Sequence, residues 1–122
     1  MSEANDPALV PSKELSLEDE CYAMVNLSPR MTGLSRHVFV SPRMASHDVR
    51  IKVSDTPGKN TLPVGAAIIG LRPHVHHIAG PVLPAPVMAE VERWVAANLA
   101  ALVAYWDGAT DIGELLVALK PI

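Results

Sequence analysis

Ala85-Pro86-Val87-Met88-Ala89-Glu90-Val91-Glu92-Arg93-Trp94-Val95-Ala96-Ala97-Asn98-Leu99-Ala100-Ala101-Leu102-Val103-Ala104-Tyr105-Trp106 is the stretch that decides the fold. Val87, Met88, Val91, Trp94, Val95, Leu99, Leu102, Val103 and Trp106 recur at intervals of three and four, the spacing of one helical face. Glu90, Glu92, Arg93 and Asn98 fall off that stripe. Pro86 suits the first turn of a helix, where its missing N–H removes no intrahelical bond. Gly108 is a natural stop in left-handed geometry. Asp111-Ile112-Gly113-Glu114 then has the spacing of a capping box, opening a short helix through Leu115, Leu116 and Leu119 that Lys120-Pro121 ends.

A helix with one apolar face needs a surface to bury it against, and the residues upstream read as strands. In His47–Ser54, Val49, Ile51 and Val53 alternate with Asp48, Arg50, Lys52 and Ser54, the period-two pattern of a half-buried antiparallel strand. Ser35–Val40 reads as the strand before it, flanked by two copies of Ser-Pro-Arg-Met at 28–31 and 41–44 that read as turns. The polar run Asp55–Thr61 carries a Pro-Gly turn. Val64–Leu71 is apolar on both faces and reads as a central strand, and its small residues imply close approach by something packed across it. His74–Ala79 reads as a short further strand ending at Gly80-Pro81. Strands followed by helices define an α+β domain: a small, mostly antiparallel sheet of three or four strands, packed by one long C-terminal helix and a short terminal one.

Residues 1–26 stand apart. They hold Pro7 and Pro11 and few apolar side chains, too little buried surface to offset ordering entropy, so they read as an acidic disordered tail before a single domain at 27–122. The net charge of −3 hides a segregation along the chain. Residues 1–20 hold six acidic side chains against Lys13, a net of −5. Residues 21–84 are +5 and hold all five histidines, and residues 85–122 are −3. The single cysteine, Cys21, makes no internal disulfide, which fits a reducing cytoplasm. No apolar run reaches the roughly 18–20 residues of a membrane span. Five aromatic residues leave the core to aliphatic side chains around Trp94 and Trp106.

Three groups of residues are candidates for chemistry. Arg43, His47, Asp48 and Arg50 supply what a catalytic site acting on a phosphodiester needs: a base, a carboxylate to orient it, and guanidinium groups for phosphate. The same residues also suit the solvated side of a half-buried strand. Arg36, Arg50, Lys52 and Arg72 make the strand region basic, and Phe39 is the one aromatic on a strand that offers a base a stacking platform, so nucleic acid is a candidate partner. The acidic tail can fold over this basic face and compete with such a ligand, or itself attract a basic partner. His74 and His76 share a strand face as two metal ligands do, or sit exposed on an edge strand; with no third ligand nearby in sequence, no cofactor is implied. Met24, Met31 and Met44, among the turns, suit either a partner surface or gap filling. The defined phosphate-loop, nucleophile-elbow and zinc-protease motifs are absent from the sequence.

Val91–Trp106, followed by a glycine-containing turn, a short helix and Leu119-Lys120-Pro121-Ile122, resembles the C-terminal half of a small bacterial family labelled domain of unknown function 4160. The resemblance covers residues 85–122, extends loosely to 35–54, and excludes the tail. It implies a few strands followed by a helix with one Trp near its start and another near its end. It also implies a neighbouring small gene, as in toxin–antitoxin-like pairs. Where that family tends to carry Pro-Pro-His-X-His, this chain has Ala45-Ser46-His47-Asp48-Val49-Arg50, so one histidine alone has a counterpart. The function expected from residues and resemblance together is binding, of a second protein or of another copy of the chain, by a cytoplasmic protein outside the membrane. The enzymatic alternative is the nuclease-like one built on His47.

Overall fold

Alternation along 49–53 sets the middle of the sheet, and the computed structural model, which describes residues 24–41, 47–57, 63 and 65–122, shows the strands on either side. They are β1 (Val25–Leu27), β2 (Val38–Val40), β3 (Arg50–Val53), β4 (Ala67–Gly70) and β5 (His76–Ala79), with the one-turn helix α1 (Pro29–Thr32) between β1 and β2. The long helix α2 (Ala85–Trp106) and the short helix α3 (Ile112–Ala118) follow. The fold is α+β as expected, with five strands among the described residues rather than three or four. The additional strand is β1. Its three residues are too few to show a period, and they straddle the boundary drawn between tail and domain at residue 27.

The sheet is an antiparallel meander in chain order, β1-β2-β3-β4-β5. Val38 pairs with Val53, Phe39 with Lys52 and Val40 with Ile51; Ile51 in turn pairs with Ile69 and Val53 with Ala67. One face therefore carries Leu27, Val38, Val40, Ile51, Val53, Ala67 and Ile69, all buried in one cluster with α2. The opposite face carries Phe39, Arg50, Lys52 and Ile68. Between β4 and β5 the register slips at Ile68/Ile69, where Ile68 pairs with Ala79 and Ile69 with His77. Ile78 is the extra residue of that β-bulge. The close approach expected over Val64–Leu71 occurs at Gly70, where an added methyl group would overlap the His76 ring.

Helix α2 has the expected bounds, with Pro86 in its first turn. Its stop is a Schellman motif: Gly108 lies at φ 81°, Ala109 N–H donates to the Ala104 carbonyl, and Gly108 N–H to that of Tyr105. The capping box of α3 also forms, Glu114 N–H donating to the Asp111 carboxylate at 2.8 Å and Asp111 N–H to that of Glu114 at 2.9 Å. Trp94 and Trp106 are buried among the sheet side chains. Each fully buried Val or Leu beside them contributes about 1.5–3 kcal/mol.

Two polar residues off the expected stripe prove structural. Asn98 is buried, four residues from Trp94 on the same face. Its amide donates to the carbonyls of Trp94 and Lys120, both at 2.9 Å, and accepts from Lys120 N–H at 2.7 Å. Those bonds hold the segment after α3 against α2, and Ile122 N–H continues to the Thr32 carbonyl at 2.9 Å. Glu90 accepts from the N–H and hydroxyl of Ser35, fastening the loop before β2 to the helix.

Two outcomes follow from this packing. Trp94→Ala is expected to lower the unfolding free energy by about 3–5 kcal/mol in a denaturant titration. Asn98→Ala leaves the Lys120 backbone groups without their partner, and a loss of about 1–3 kcal/mol with faster protease cleavage near Lys120 is expected.

Candidate functional site

The basic strands β2 and β3 position most of the candidate residues, and the structure gives each a different environment. Asp48, just before β3, receives a bidentate bond from Arg72, just beyond β4: Nε lies 3.2 Å from one carboxylate oxygen and Nη2 2.5 Å from the other. Both side chains are about half exposed, so the pair contributes little to stability. Its effect is on charge. The bond from Asp48 raises the Arg72 pKa above its usual value and keeps the guanidinium positive at any working pH.

His47 precedes Asp48, but its Nδ1 lies 2.8 Å from the backbone carbonyl of Asp48. Its ring tilts against Trp106, with centroids 5.1 Å apart. The carboxylate that a His47 base would use for orientation is thus engaged by Arg72, and the imidazole rests on the end of α2. Arg43, the phosphate-binding arginine of that reading, lies outside the described residues, as does Met44. Arg50 is half-buried on β3.

The basic face differs from its expected form more sharply. Phe39 is 2% exposed and Lys52 3% exposed, so neither presents itself to a nucleic acid. Period-two alternation marks Lys52 as pointing away from the apolar cluster, which it does. The inference that this side faces solvent fails, because the side chain is covered. Phe39 stacks with His37, ring centroids 6.3 Å apart and 22° between planes, rather than with a base. Arg36 donates from Nη1 to the carbonyls of Ser54, at 3.2 Å, and Asp55, which ties it to the loop after β3. Of the proposed phosphate ligands, Arg36 and Arg72 are therefore committed to the protein itself.

His76 and His77 lie on β5, and His74 lies just before it. His74 and His76 have ring centroids 5.5 Å apart at 58°. His76 Nδ1 is bonded to the His74 carbonyl at 2.7 Å, and His77 Nε2 to that of Gly80 at 2.9 Å. Among the described residues, no group of three or more His, Cys, Asp or Glu side chains is placed to hold a metal ion. No helix among them is long and apolar enough to cross a membrane.

Of the exposed apolar side chains, Met31 was a partner-surface candidate in the sequence, and those of α3 were not. Among the described residues, five of the seven exposed large apolar side chains lie on α1, on α3 or at the last residue: Met31, Ile112, Leu116, Val117 and Ile122. Ile112 and Leu116 share a face of α3, Val117 flanks them at 88% exposure, and the Ile122–Thr32 bond brings the last residue beside Met31. The signal was present in the sequence. A seven-residue helix with Ile112, Leu115, Leu116 and Val117 has more apolar surface than one neighbour can cover, and Leu115 alone of these is buried.

Compared with protein-family models, curated proteins and solved structures, the chain matches none.

Burial raises the Tyr105 hydroxyl pKa above its usual value. The folded state then keeps that proton to higher pH than the unfolded chain does, so stability falls as pH rises past the unfolded value of about 10. Melting temperatures measured from pH 8 upward are expected to drop beyond about pH 10, and Tyr105→Phe is expected to reduce the steepness of that drop.

Proposed function

We propose that this chain is a small interaction protein that works by contact rather than catalysis, binding a second polypeptide through exposed apolar side chains of α1, α3 and Ile122. A second copy of the chain is the simplest occupant, since a two-fold pairing lets one patch bury its own equivalent. The observation that carries this reading is the exposure of Met31, Ile112, Leu116, Val117 and Ile122 on α1, α3 and the last residue, while most other large aliphatic side chains among the described residues are buried. Exposed apolar patches of this kind mark interaction surfaces more often than scattered single side chains do. The resemblance to domain of unknown function 4160 supports the same reading, because its paired small genes suggest two products that meet. The nuclease-like and nucleic-acid-binding alternative draws less support: Phe39 is buried, and Asp48, Arg72 and Arg36 bond to other parts of the chain.

Light scattering on a sizing column tests this. The wild-type chain is expected to run above its 13.1 kDa monomer mass. Val117→Asp is expected to return it to that mass with an unchanged melting temperature, because a surface substitution at an exposed site shifts stability by no more than about 0.5 kcal/mol. A wild-type chain that is monomeric at micromolar concentration sinks self-association.

A further inference from the structure

Strand β5 and its approach carry three of the chain's five histidines, and two of them hold a fixed mutual position. His74 is exposed and His76 half-buried, with their ring centroids 5.5 Å apart and 58° between the planes. His76 is set from two sides. Its Nδ1 lies 2.7 Å from the His74 carbonyl, and a carbonyl only accepts, so that nitrogen carries the proton and Nε2 keeps its lone pair. The ring lies over Gly70, its cross-strand partner on β4, where an added methyl carbon would stand only 2.5 Å from Nε2. An imidazole that donates one ring N–H to a backbone carbonyl and keeps the other nitrogen bare has the form in which histidine ligates a metal. His77 differs: its parity on the strand is opposite, and its Nε2 bonds to the Gly80 carbonyl at 2.9 Å.

The separation of the two rings selects a coordination geometry. An imidazole nitrogen binds zinc at about 2.0–2.1 Å, which places the ion about 3.2 Å from each ring centroid. Two such rings stand about 5.2 Å apart at the tetrahedral angle, and about 4.5 Å apart at the right angle of an octahedral or square site. The 5.5 Å between His74 and His76 falls at the tetrahedral end. Tetrahedral coordination by imidazole nitrogen is the habit of zinc. Two ligands are half of a closed four-ligand site, and among the described residues no third His, Cys, Asp or Glu completes a group with them. Strand β5 has β4 on one side and no described strand on the other, so the pair stands at the margin of the sheet. A second copy related by a two-fold axis brings the same two side chains to the same ion.

We propose that His74 and His76 form a zinc half-site that a second copy of the chain completes with its own pair, one ion joining two molecules through β5. This contact is separate from the apolar one on α3 and does not depend on it.

Tag-free protein stripped with a chelator and then titrated with zinc chloride tests the proposal, in the Val117→Asp variant so that the α3 contact plays no part. Light scattering is expected to show the 13.1 kDa monomer doubling in mass as zinc rises, saturating at one ion per two chains, with magnesium chloride having no effect. His74→Ala and His76→Ala are each expected to abolish the doubling, and His77→Ala to leave it unchanged. Gly70→Ala keeps both histidines but displaces the His76 ring, so zinc affinity, read by competition with a chromophoric chelator, is expected to fall by about tenfold or more. The histidine variants decide the outcome if the Gly70 variant does not fold. Zinc bound at one ion per chain without association overturns the bridge. Binding that survives loss of both histidines overturns the site, and a chain that stays monomeric and zinc-free throughout the titration overturns the whole proposal.

Discussion

Laying the stripe from Val87 to Trp106 across one face of a five-stranded sheet is the constraint on which the rest of the molecule depends. The sheet has little aromatic bulk of its own, so Trp94 and Trp106 fill the space between the layers and set their separation. The polar ties answer to that placement. Glu90 holds the loop before β2, and Asn98 holds the segment after α3, each reaching from α2 to chain that would otherwise have few anchors. Trp94 also carries a liability, since its indole N–H is buried and finds no acceptor among the described residues. An unpaired buried donor is unfavourable by about 1–3 kcal/mol, which the packing around the ring offsets.

Much of this was legible in the sequence, for reasons that differ from element to element. Helix α2 was readable to its end residues because stripe, proline and glycine stop agree, and the capping box of α3 is a local bond between neighbours in the chain. Strands β2, β3 and β4 were readable in place but came out shorter, since residues such as Ser35 and Asp48 continue the alternation without being part of the ladder. Strand β1 was not readable, because three residues carry no period. The role of Asn98 was hidden for another reason. Amide side chains usually mark a solvated face, and the bonds to Lys120 that reverse this come from 22 residues away.

The candidate site was legible as a set of residues and misleading as an arrangement. His47 and Asp48 are adjacent in sequence, which puts their side chains on opposite sides of an extended chain. Asp48 then meets Arg72 across β3 and β4, and His47 meets Trp106. Neither encounter can be read from spacing, because each is a product of topology. Lys52 shows the same limit. Alternation reports which face a side chain joins, and says nothing of whether that face has a cover.

The strand order has a bearing on how the molecule forms. Every strand pairs with its neighbour in the chain, so the sheet can zip up from local hairpins with little loop closure, a feature of fast-folding topologies. The helix that shields its apolar face comes from the far end of the sequence. A growing chain emerging from a ribosome would therefore display a nearly complete, greasy sheet before α2 was available to cover it. The bulge at Ile78 matters most at that stage: by disrupting the ladder of the outermost strand, it makes a half-made molecule a poor template for the next one.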